Sequence, residues 1–379
     1  MEGIGMKKRQ CIFLLFVFSM TVMFGNLWMD RFSFGKIGDD MIDLYSLHNE
    51  NHMIVRITNY GGIIQSILLP DRHGHIDDVV LGFSDLDSYL SDTSSFGCIV
   101  GRYANRIAGG KFSIDGVDYF LPQNEGTNCL HGGLEGFCKK IWQVKEIRGE
   151  DYVGLELYYH SLDGEEGFPG NLKTWVRYTL TQNNDLIIEY RAQTDKPTPV
   201  NLTNHTYFNL SGHQNGDILQ HILWINGDKY AQLDERQIPT GRILSVTGTP
   251  LDFTTPTAIG KRIHDDFDQL IIGKGYDQSF VMSQQKKLNI GAILFDPSSG
   301  RKLTVSTTEP VVQIYSSNHL NGVNGKNDVV YNQYGGFCLE TQHLPDSPNQ
   351  PEFPDTILRP GELFYSKTVF HFDMVEEFP

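Results

Sequence analysis

Lysine and arginine are scarce in this chain: 31 stand against 46 aspartates and glutamates among 379 residues, a formal charge of −15. Nucleic acid and anionic membrane surfaces bind through basic patches, so neither is expected as the main partner. A neutral ligand is the natural alternative. Cysteine is sparse too, five in all. Cys98, Cys129, Cys138 and Cys338 match no zinc-ligand spacing; their even number permits disulfides, but they read as mostly buried thiols. No Pro- or Ser-rich linker divides the chain, and no repeat period is visible. A GxSxG motif is absent, no glycine-rich loop opens a helix to hold phosphate, and neither His131 nor His205 stands in HxH or HExxH spacing.

What is present begins with the N-terminus. Lys7, Lys8 and Arg9 precede an uncharged apolar run from Cys11 to Met29. A basic region before an apolar one has the shape of a secretory signal, here with cleavage after about Gly25. The same run is just long enough to span a bilayer as an uncleaved anchor. Cys11 stands at the head of the run and not after it, which speaks against a lipoprotein anchor. The expected division is therefore 1–29 as signal peptide or anchor and 40–375 as one domain. That domain would be exported to a periplasm or the extracellular space, or membrane-anchored in the alternative.

From about residue 40 the pattern is one of strands and turns. Val176, Tyr178 and Leu180 alternate with Trp175, Arg177 and Thr179; a turn at Asn183-Asn184-Asp185 and the run LIIEYRA complete a hairpin. MIVRITNY and IIQSILL flank Gly61-Gly62 as a second unit. Helical signals are few. Ser84 with Asp87 resembles a capping box for a turn or two ending near Leu90, and TAIGKRIHDDF (257–267) is a second helix candidate. The longest loop is expected over 316–336. Many strands without a linker predict an all-β chain folded as one large antiparallel β-sandwich.

Polar residues collect in five places that are otherwise apolar or glycine-rich. GRYANRI carries Asn105 and Arg106, and NCLHGG carries His131 against paired glycines that let a backbone approach a ligand. PVNLTNHTYFNLSG (199–212) carries His205 among three asparagines, GYDQSF carries Asp277, and GGFCLETQHLPDSPNQ carries Glu340. With period two, Phe337 and Leu339 share one strand face while Cys338 and Glu340 share the other. A carboxylate in so apolar a strand must be paired or functional, because burying one alone is costly. Either a buried ion pair or a general base fits. DGEEGFPG offers the adjacent pair Glu165 and Glu166; paired carboxylates suit glycosidases, but adjacent strand residues face opposite ways and the flanking glycines suggest a loop tip.

Taken in order, GRYANRIAGGKF, LHGG, PVNLTNHTYFNLSG, GYDQSF and FCLETQHLPDSPNQPEFP resemble the aldose 1-epimerases, the galactose mutarotase family, over about residues 45–372. The resemblance implies a galactose mutarotase-like supersandwich that interconverts the anomers of free hexoses such as glucose and galactose. It implies His205 as general acid and Glu340 as general base. Asn105, Arg106, His131, Thr206, Tyr207, Asp277 and Gln313 would bind or line the sugar cleft. No cofactor and no metal are implied; the partner is a small aldohexose, and the chain is expected as a monomer or weak dimer. A carboxylate beside His205 is expected to raise its pKa and so supply a protonated acid. The alternative is a non-catalytic sugar-binding module on the same sandwich, which would need neither an acid nor a base. An epimerase of hexose 6-phosphates would want a further basic cluster that the five motifs lack. Asn201-Leu202-Thr203, Asn204-His205-Thr206 and Asn209-Leu210-Ser211 are also glycosylation sequons. Glycans there would block a cleft around His205, so either burial or a non-modifying compartment is expected.

Overall fold

The computed structural model describes residues 27–283 and 287–378. Two antiparallel sheets face each other. The larger has nine strands in the spatial order Gln143–Arg148, Tyr152–Ser161, Leu172–Thr181, Asp185–Thr194, Phe364–Met374, Arg301–Thr307, Asn289–Phe295, Ile222–Ile225 and Thr257–Ala258. The expected hairpin is part of it: Val176 lies opposite Tyr190, Tyr178 opposite Ile188 and Leu180 opposite Leu186. The second sheet has six strands, ordered Tyr207–Phe208, Phe337–Gln342, Val311–Tyr315, Asp277–Val281, Lys229–Leu233 and Pro239–Ser245.

Period-two alternation divides the second sheet's residues between two jobs. Phe280, Val312, Ile314, Phe337 and Leu339 point inward and join one hydrophobic core with Val176, Tyr178 and Ile188 of the nine-stranded sheet. Asp277, Gln313, Tyr315, Cys338 and Glu340 take the opposite face. A chain with one such core spanning both sheets is a sandwich, as the strand pattern predicted.

A five-stranded sheet precedes these two, running Trp28–Ile37, Asp40–His48, Ile54–Thr58, Ile64–Pro70 and Ile76–Asp78. Its third and fourth strands meet at Gly61-Gly62, both with left-handed backbone (φ 64° and 56°). Its first strand pairs with the second from Trp28 to Ile37, and Leu27 and Met29 pack against the main core. The ordered fold thus starts well before residue 40, and the tail of the apolar run belongs to it. The rest of the expected signal or anchor lies outside the described residues.

Two helix expectations need correction. The first helix is Leu86–Ser91, and its cap is Asp85, which accepts from Ser88 N at 2.9 Å. Ser84 instead accepts from Asn327 N. Residues 257–267 form no α-helix, only the short strand Thr257–Ala258 and a 3₁₀ turn at Ile259–Lys261. Ile259 N donates to His221 O and Gly260 N to Leu219 O, so these amides are spent on a neighbouring segment instead of a helical ladder. The second helix begins just after, at Asp268–Gly273. The long loop expected at 316–336 holds only the two-residue strands Val323–Asn324 and Val330–Tyr331 and a 3₁₀ turn between them.

Candidate active site

The segment 199–212 is fixed by its three asparagines. Asn201 Nδ2 donates to Ala104 O at 3.2 Å, while its Oδ1 accepts from His343 N at 2.9 Å. Asn204 Nδ2 donates to Gly97 O at 2.8 Å, and Asn209 Nδ2 to both Gly216 O and Gly335 O at 3.0 Å. All three are buried, so each amide holds two chain segments together where water cannot. Between them, His205 is pinned by its own backbone, N to Cys98 O at 3.0 Å and O from Gly97 N at 2.9 Å. His205 and Tyr207 then face one way and Thr206 the other.

A cavity of about 240 Å³ opens over the outward face of the six-stranded sheet. It is lined by Asn105, Arg106, His131, His205, Tyr207, Asp277 and Glu340, so seven of the nine residues singled out in the sequence meet there. Two do not line it. Thr206 donates to Asn204 Oδ1 at 2.5 Å. Gln313 donates from Nε2 to Asp277 Oδ1 at 2.6 Å and reaches the cleft only through that carboxylate.

His205 Nε2 lies 3.6 Å from Glu340 Oε1 on the cavity floor. That is ion-pair range, yet burial disfavours both charges. It pushes His205 down to about 4. It pushes Glu340 well up, with Asp277's charge adding to the effect and Arg106 opposing it. The expectation that the carboxylate would raise His205 is therefore reversed, because desolvation outweighs the attraction. Burial thus works against the form of the pair in which His205 is protonated and Glu340 ionised.

His131 stands edge-on to His205, ring centroids 5.1 Å apart. Its Nδ1 accepts from Asn105 N at 3.2 Å, and burial, then His205 and Arg106, hold its pKa well down. A neutral imidazole with Nδ1 accepting must carry its proton on Nε2, so it can donate to a ligand oxygen. Arg106 is held at Nε by Glu125 Oε2 (2.7 Å) and at Nη2 by Glu125 Oε1 (2.5 Å) and by Gln237. Its Nη1 remains 3.8 Å from Asp277 Oδ2. Burial raises the Asp277 pKa, opposed by Arg106 and the Gln313 bond. Together these groups offer donors and acceptors in alternation, as a polyhydroxylated ligand requires.

The atoms of His205, Cys338 and Glu340 that could hold a metal lie within 4.8 Å of one another. Cys338 Sγ, however, approaches His205 Nδ1 at 3.6 Å while Glu340 faces Nε2. The two thus meet different nitrogens of the imidazole.

The family model for aldose 1-epimerase matches residues 43–371. The chain belongs to the aldose 1-epimerase family. It is 43% identical to the galactose mutarotase of Rattus norvegicus over 347 residues, 91% of this chain and 98% of that one. It is 40% identical to the aldose 1-epimerase of Escherichia coli K12, over 87% of this chain and 94% of that one. Among solved structures, galactose 1-epimerase from Lactobacillus acidophilus superposes with a TM-score of 0.82 at 28% identity, covering 92% of this chain and 99% of that one.

In this member of the aldose 1-epimerase family the cavity also has walls that sequence reasoning missed: Glu125, Leu130, Tyr315, His319, Leu320 and the stretch 93–95. Tyr315 had a signal, being two residues from Gln313 on one strand. Glu125 had an indirect one, since a buried Arg106 needs a counter-charge. Leu130 ends the short strand Cys129–Leu130 just before His131, and the others come from loops, where spacing carries no information about approach. The alternative acid pair is structural: Glu165 accepts from Tyr159 Oη at 2.6 Å and pairs with Lys140 at 2.9 Å, and Glu166 accepts from Leu134 N at 2.8 Å.

Proposed function

We propose that this chain interconverts the α and β anomers of free aldohexoses such as glucose and galactose. The observation that carries the reading is the 3.6 Å approach of His205 Nε2 and Glu340 Oε1 on the floor of the sugar-sized cavity. From the form with Glu340 ionised and His205 protonated, ring opening moves the C1 hydroxyl proton to Glu340 while His205 delivers its own proton to the ring oxygen. The C1 aldehyde then turns about C1–C2, and the reverse transfers close the ring on its other face. After opening, Glu340 carries the proton and imidazole is neutral. That is the distribution burial favours, so the buried pair suits the opened sugar better than its own charged form. Arg106, His131, Asn105 and Asp277 hold the remaining hydroxyls by charge-assisted or neutral hydrogen bonds.

Polarimetry of freshly dissolved α-D-glucose and α-D-galactose tests this. Purified protein should speed the decay of rotation far above the spontaneous rate. Sugar binding without acceleration would make the chain a carbohydrate-binding module instead.

We further infer from Lys7, Lys8, Arg9 and the apolar run that the chain is exported and cleaved after about Gly25. Mass spectrometry of the exported protein should find that new terminus; an intact Met1 in the membrane fraction would mean an anchor.

A further inference from the structure

Ser279 is two residues from Asp277 on the same face of one strand and directly opposite Gln313 on the next. The Gln313 amide spans the two. Ser279 Oγ donates to its Oε1 at 2.5 Å, and its Nε2 donates to Asp277 Oδ1 at 2.6 Å. Ser279 and Gln313 are buried, 1% and 3% exposed. The direction of both bonds is forced: an ionised carboxylate only accepts, so Gln313 must turn its NH₂ to Asp277, and its carbonyl is left for Ser279 to satisfy. Turned end for end, the amide has nearly the same shape but would set a carbonyl oxygen against the carboxylate. Only the chemistry at both ends holds it.

We propose that Ser279 is a positioning residue that, through Gln313, fixes the Asp277 carboxylate for a sugar hydroxyl. The clamp occupies Oδ1 and leaves Oδ2 toward Arg106 and the cavity. Without the Ser279 hydroxyl, the Gln313 carbonyl is buried unpaired, the amide is free to rotate, and the carboxylate loses its fixed orientation. The inference rests on the reading of Asp277 as a sugar-binding group.

The test compares Ser279→Ala and Ser279→Thr with wild type, reading KM, kcat and the galactose Kd by calorimetry. Losing one neutral hydrogen bond corresponds to roughly three- to ten-fold. The alanine variant should raise KM and Kd by that much and change kcat by less than about two-fold. Ser279→Thr keeps the hydroxyl and should restore both. Added to Asp277→Asn, Ser279→Ala should cost nothing further, because it acts only through that carboxylate. Wild-type KM and Kd in Ser279→Ala would overturn the proposal. So would a threonine variant as impaired as alanine, or additive losses in the double variant. A wild type that binds galactose without interconverting its anomers would end the mutarotase reading, and the Kd comparison alone would then decide the role of Ser279.

Discussion

Glu340 Oε2 is buried and meets no hydrogen-bond partner among the described residues, while its Oε1 faces His205 Nε2. When ionised, a carboxylate held this way can take the proton of a hydroxyl that enters the cavity, since no protein donor competes for the lone pairs of Oε2. Glu340→Gln keeps shape and hydrogen bonding but cannot take a proton. Its kcat should fall by about 10²–10⁴-fold with galactose binding retained, as read by polarimetry and calorimetry. His205→Asn should lose a similar factor, and the double variant much less than the product, because one concerted transfer is lost only once. The pH dependence follows from the shared proton. Activity needs the pair singly protonated. It should fall on the acid side as the pair gains a second proton, near the value of about 4 to which burial pushes His205. It should fall on the alkaline side as the single proton leaves Glu340, whose pKa burial has raised. Both limbs belong to the pair. A kcat profile that declines through the ordinary histidine range would show His205 acting as a free imidazole. His205 and Glu340 were legible in the sequence because a titratable group in an apolar or uncharged strand is conspicuous. Their proton distribution was not, because it depends on how completely the fold excludes water. Thr206 was misjudged for a local reason: it stands between two cavity residues, and alternation turns it away.

Elements set these groups by close backbone approach. Gly97 has φ 69°, and a Cβ there would stand 2.3 Å from Ile64 O. Its N–H is the one that holds the His205 carbonyl. Gly97→Ala should destabilise the protein by at least ~1–2 kcal/mol from the left-handed backbone alone, with the contact adding more. Because the displaced amide is His205's anchor, kcat should drop as well. Urea unfolding and kcat on the folded fraction measure the two effects separately; a stable variant with normal kcat would mean the segment yields without moving His205. Strand existence was readable from alternation, as in the 172–194 hairpin, because side-chain period is a local property. Helix limits were not. Residues 257–267 have helical composition, but the backbone of 219–221 takes their amides, and no local pattern announces a partner that arrives from elsewhere in the chain.

At the scale of the whole molecule, residues from the six-stranded sheet and from the loops around it close the cavity within one chain. Turnover per chain should therefore stay constant across a dilution series that spans any weak dimer, with sedimentation run on the same samples. A specific activity that falls with dilution would require a second chain to complete the site. The sandwich was legible because one core gathers alternate residues from long strands of both facing sheets; the loop walls at 93–95 and 319–320 were not, since only the assembled sheets bring them to the rim. The buried asparagines carry a last consequence, one of timing. Asn201, Asn204 and Asn209 are inaccessible once folded, yet each is a glycosylation acceptor while the chain is still emerging. A sugar tree attached to any of them would prevent the amide from ever reaching its carbonyl. The same gene routed through a glycosylating secretory pathway thus faces a race between the oligosaccharide transferase and the closing of the sandwich, and secreted yield there reports which finishes first.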